Sequence, residues 1–143
     1  MLPRFHHILV PLDFSAKNMA ALDIAFEMAE VNAARVTLLH VIERIETTAE
    51  DEESNAFYER LSRRADTELE SRSQRFLNAG LSAEYKIRFG KRSEQIVQFV
   101  HERDIDLVIL SSHLIDRNQP VKSMSTVSYQ VSLFAPCPVL LVK

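Results

Sequence analysis

Short apolar runs alternate with stretches of helical periodicity along the chain, and no other feature constrains the fold as strongly. Residues 5–11 (FHHILVP) read as a first strand, followed by the turn-like Asp13-Phe14-Ser15. Ser15 is placed to cap a helix whose inward stripe is Met19, Leu22, Ala25, Phe26 and Ala29, at three-to-four spacing. Residues 34–42 (ARVTLLHVI) are β-branched and almost wholly apolar, the pattern of a strand covered on both faces. Thr47-Thr48-Ala49-Glu50 has the form of a capping box ahead of a long helix. Phe57, Leu61, Ala65, Leu69, Phe76 and Leu77 mark the buried face of that helix, and Gly80 stands where a C-terminal glycine belongs. Residues 83–89 alternate as a third, less buried strand. Ser93 is expected to cap a helix running to Arg103, with Ile96, Val97, Phe99 and Val100 inward. Residues 105–110 (IDLVIL) form a fourth strand, 111–123 a polar loop, and Met124, Val127, Val131 and Phe134 a short last helix. A fifth strand runs from Cys137 to Val142.

Strands that alternate with helices join through right-handed crossovers into a parallel sheet with helices on both faces. One α/β domain over residues 1–143 is expected, because the length suits one core and no linker or internal repeat interrupts it. In such sheets ligands bind beyond the carboxyl ends of the strands, where strand order reverses. That rule directs attention to Asp13, the residues after Val41, Gly90, and Ser111 onward.

Composition removes several classes of function. The 17 basic and 20 acidic side chains leave a formal charge of −3, which argues against nucleic acid as the main partner. A single cysteine, Cys137, permits no internal disulfide and no thiolate metal site, and points to a reducing, cytoplasmic setting. No apolar run approaches the roughly 18–20 residues of a membrane span, so no membrane partner is expected. His6 and His7 are neighbours and face opposite sides of a strand, while His40 and His101 fall in separate elements, so no metal site is expected. No G-x-S-x-G elbow accompanies the Ser-His pair at 112–113, and no catalytic residue is assigned. Glycine is scarce: only Gly80 and Gly90 occur, where average usage of about 7% predicts roughly ten.

Two stretches carry candidate chemistry. Asp13, just past the first strand, can accept hydrogen bonds from a ribose or an adenine amine, or can simply cap the following helix. The stretch 111–126 offers hydroxyls at Ser111, Ser112, Ser123, Ser125 and Thr126 and cations at Arg117 and Lys122. It leads into a helix N-terminus, where an anion is favoured. It holds no glycine, however, and Pro120 removes one N–H donor, so an ordinary surface loop is the simpler reading.

The residues HHILVPLDFS, VTLLHVIE, the G-x-x-S-E-x-I segment from Gly90, DLVILSSH and the closing APCPVLLVK together resemble the universal stress proteins across essentially the whole chain. The resemblance implies a five-stranded parallel sheet of order 3-2-1-4-5, of the Rossmann-like, adenine-nucleotide-hydrolase type. It also implies homodimers joined through the last strand, here residues 137–142, with protein partners that the residues do not name. Some members bind ATP between strands one and four through a signature of three glycines. In this chain those three places hold Ser111, Leu114 and Ser125, and Thr126 follows in the Ser/Thr place. Asp13 and Val41 match the family's ribose- and adenine-contacting positions. With Pro11, His113 and Lys122 these residues make up the candidate nucleotide site, for ATP or AMP. A branched Leu114 where bare backbone should receive phosphate oxygens removes charge-assisted bonds worth roughly 1.5–3 kcal/mol each. The chain is therefore expected to act as a stress-response homodimer without strong ATP binding and without firm need of a cofactor. The alternative is an adenine-nucleotide module with a phosphate loop that lacks glycine.

Overall fold

The computed structural model describes residues 4–44, 52–113, 117–119, 121–122 and 126–143. Five strands, β1 (His7–Pro11), β2 (Arg35–Ile42), β3 (Ala83–Phe89), β4 (Leu107–Ser111) and β5 (Val139–Val142), pair in parallel in the order β3-β2-β1-β4-β5. Between them run α1 (Asn18–Asn32), α2 (Glu52–Asn78), α3 (Arg92–Glu102) and α4 (Val127–Phe134). The chain leaves β1 toward β2 and β3, then returns past β1 to lay down β4 and β5. Strand order therefore reverses between β1 and β4, and their carboxyl ends open a crevice there.

Alternation along the strands divides the core into two layers. Ile8, Val10, Val36, Leu38, Leu107 and Ile109 point to one face, where they meet Ala21, Leu22, Ala25 and Ala29 of α1 and Leu69 and Phe76 of α2. The alanines recur every fourth residue and let α1 lie close to the sheet, while Phe76 fills the space beside it. On the other face Leu9, Leu39, Val41, Val108 and Leu110 pack against Ile96, Phe99 and Val100 of α3 and Val131 of α4. Both layers bury these side chains almost completely, and each fully buried Leu, Ile or Phe contributes about 1.5–3 kcal/mol.

Several expectations shift at the edges of elements. Met19 lies 56% exposed on the outer side of α1, so the inward stripe starts at Ala21. Phe57 and Leu77 of α2 and Phe134 of α4 are likewise exposed, and the burial of α2 begins at Ala65. Ser15 does not cap α1, which starts three residues later behind Lys17 with no side-chain cap. Ser93 lies inside α3, whose cap position is Lys91. Residues 121–122 are helical, within the expected loop 111–123. The fifth strand pairs over Val139–Val142, two residues shorter at its start than 137–142. The capping box at 47–50 lies outside the described residues. Gly80 has φ +80°, as a residue after a helix end requires. Ala33 takes the corresponding place after α1 at φ 50°.

Candidate functional site

The crevice between β1 and β4 holds a cavity of about 270 Å³. Its floor is apolar, from Pro11, Leu39, Val41, Ile96, Leu110 and Val127, and its rim carries Asp13, Asn18, Arg92, Ser111, His113, Thr126 and Ser128. Of the residues expected from the sequence, the structure brings together Pro11, Asp13, Val41, Ser111, His113 and Thr126 around it. Lys122 is exposed and is not among the lining residues, and Leu114 and Ser125 lie outside the described residues.

Asn18 organises the rim. It is 2% exposed, and its Oδ1 accepts the amide N–H groups of Asp13 (3.0 Å) and Phe14 (2.8 Å). Its Nδ2 donates to Ser111 Oγ at 3.0 Å, tying the loop after β1 to the end of β4. Outside this bond, Lys17 Nζ donates to His113 Nδ1 at 2.7 Å, again from the β1 side to the β4 side. Both bonds join the segment after β1 to the residues at the end of β4.

The turn at Asp13 is tightly held. Ser15 N–H donates to Asp13 Oδ1 at 2.9 Å. Burial pushes the Asp13 carboxyl upward, but bonds from the amide and side chain of Ser15, the charge of Arg92 and the Asn18 side chain outweigh it. The net pKa is lowered, so Asp13 stands ready as an anionic acceptor. Phe14 follows at φ 65°, in the left-handed region, where a bulky residue is strained. Its ring is stacked on His40 with centroids 4.2 Å apart, and the Arg72 guanidinium lies 5.2 Å from its centroid on the helix side. His40 Nδ1 donates to the Leu12 carbonyl at 2.7 Å. Burial lowers the His40 pKa, the Leu12 bond opposes that, and the Arg92 charge adds to the lowering.

The wall on the β4 side is a hydroxyl cluster. Buried Ser112 and Ser128 share a hydrogen bond of 3.0 Å between their Oγ atoms, and Thr126 Oγ1 lies 3.4 Å from Ser128 Oγ. Thr126 also caps α4, accepting the Tyr129 N–H at 3.4 Å. The hydroxyls are thus already engaged in holding α4 against β4. Among the described residues no three His, Cys, Asp or Glu side chains converge as a metal set.

Sequence reasoning missed Asn18, Lys17, Arg92 and Ser128. Asn18 had a legible signal: asparagine is a poor interior residue of a helix and a strong one at its start, and it directly precedes the apolar run MAAL. Arg92 lies beside Gly90 and Ser93, in the segment past the third strand that was already singled out.

A parallel sheet of this order, with a cavity at its switch point, defines a Rossmann-like α/β protein of the adenine-nucleotide-hydrolase type. The universal stress protein family model matches residues 4–143, and the chain belongs to that family. It is 25% identical to the universal stress protein YxiE of Bacillus subtilis, over 97% of this chain and 99% of that one. The fold is shared with the universal stress protein UspA from Lactobacillus plantarum, at a TM-score of 0.82, 24% identity and coverage of 98% and 99%. It is also shared with a universal stress protein from Archaeoglobus fulgidus in complex with dAMP, at a TM-score of 0.69, 19% identity and coverage of 97% and 98%. No described helix is long and apolar enough to cross a membrane.

Proposed function

We propose that this universal stress protein serves the stress response as a cytoplasmic homodimer that does not hold ATP tightly and performs no catalysis of its own. The observation that carries the reading is the Asn18–Ser111 bond, in which Ser111, at a place where the family's ATP-binding signature has glycine, is tied by its hydroxyl to the start of α1. An incoming triphosphate must break this bond and the Lys17–His113 contact, and it meets no glycine backbone in return. The test is thermal unfolding with and without millimolar ATP and Mg²⁺. An unchanged midpoint is expected; a rise following RT ln(1 + [L]/Kd) would overturn the reading.

A specific observation favours a second, narrower reading alongside it. The cavity of about 270 Å³ keeps Asp13 at its rim and Val41 on its floor, and it sits just under the roughly 300–1,000 Å³ usual for ligand pockets. A space of that size suits a nucleoside or its monophosphate better than a triphosphate, and the Archaeoglobus relative's complex with dAMP supports the same class.

A further inference from the structure

Three arginines of the described chain are half-buried: Arg72, Arg88 and Arg92. Arg72 pairs with Glu68 and Arg88 with Glu102. Arg92, the first residue of α3, lines the cavity, yet its guanidinium has neither an ion pair nor a hydrogen bond among the described residues. The Arg92 nitrogens still reach solvent, so the guanidinium keeps its fork of donors free for an incoming carboxylate or phosphate. Arg92 is close enough to Asp13 and His40 to act on both electrostatically, but it does not close onto Asp13. The cavity therefore has an anionic acceptor and an unpartnered cation on its rim, with an apolar floor of Val41, Leu39 and Ile96 between.

We propose that Arg92 is the anion anchor of this pocket and sets its preference for a ligand carrying one phosphate on a compact, partly apolar body with hydroxyl donors, the chemistry of a nucleoside monophosphate. Asp13 takes the hydroxyls, the floor takes the apolar body, and Arg92 receives the phosphate from the α3 side instead of the loop after β4. This inference rests on the nucleotide reading of the pocket and adds the residue that would give it specificity.

The test is calorimetric titration of the purified protein with adenosine and AMP, for the wild type, Arg92→Gln and Arg92→Lys. The wild type is expected to bind AMP about ten- to hundredfold more tightly than adenosine, the gain of charge-assisted bonds to one phosphate. Arg92→Gln is expected to erase that preference, and Arg92→Lys to keep part of it. An AMP preference that survives Arg92→Gln overturns the anchor and leaves the nucleotide reading standing. Failure of the wild type to bind either compound at millimolar concentration overturns the nucleotide reading, and the anchor with it.

Discussion

Asn18 concentrates more of the site's order than any other side chain, since one buried amide satisfies two backbone donors and one hydroxyl. Replacing it with alanine leaves the Asp13 and Phe14 amides without their acceptor. The expected cost of Asn18→Ala is about 1–3 kcal/mol, the usual penalty for stranding buried donors, read as a lower urea midpoint with an unchanged slope. Phe14 shows the same economy at a neighbouring position. Its left-handed backbone is held by the stack on His40 and the guanidinium of Arg72, which a glycine there would forfeit.

At the scale of elements, β1 and β2 each carry a half-buried histidine whose pKa is lowered. For His7 the cause is burial and then the Arg35 charge, with the Arg103 backbone, Glu84 and Asp106 opposing; its Nε2 lies 2.7 Å from Thr37 Oγ1. The unfolded chain binds protons at these histidines near the ordinary 6.5, and the folded chain does so only at lower pH. Their contribution to stability is therefore full above 6.5 and is lost as pH falls below it toward the lowered values. Urea unfolding at a series of pH values should show the midpoint falling over this range, and His40→Gln should make the fall shallower. The strands that hold these histidines were legible from their apolar runs, because a strand buried on both faces leaves little room for another reading. Helix existence was legible too, but not where each stripe meets water. Met19, Phe57 and Phe134 keep the helical period yet sit where no element among the described residues covers them, and periodicity alone cannot tell how far a partner extends. The pocket was legible through Asp13, Val41 and Ser111, which stand at strand ends. Arg92 was not, since what distinguishes it is a partner it lacks, a property of three-dimensional surroundings.

For the molecule as a whole, the two borders of the sheet differ in character. β3 carries Glu84, Lys86 and Arg88 along one border, charges that discourage pairing with another chain. β5 on the opposite border is VLLV, without a charge, and it lies in the same region as exposed Leu133 (61%) and Phe134 (68%) of α4 and Leu140 (40%). The dimer proposed from the family resemblance fits that contrast: light scattering should give twice the 16.4 kDa chain mass, and Leu140→Lys should give the single mass. A wild-type monomer at micromolar concentration would exclude the pairing. The bridge from Asn18 to Ser111 has a consequence of a different kind, for descent rather than energy. It binds two positions 93 residues apart into a single heritable unit. A lineage with glycine at 111 would leave the amide at 18 without its hydroxyl partner, and one without the asparagine would strip the turn at Asp13 of its support. The two letters should therefore drift together among relatives, and a search keyed to this pair would gather kin that a search keyed to glycines passes over.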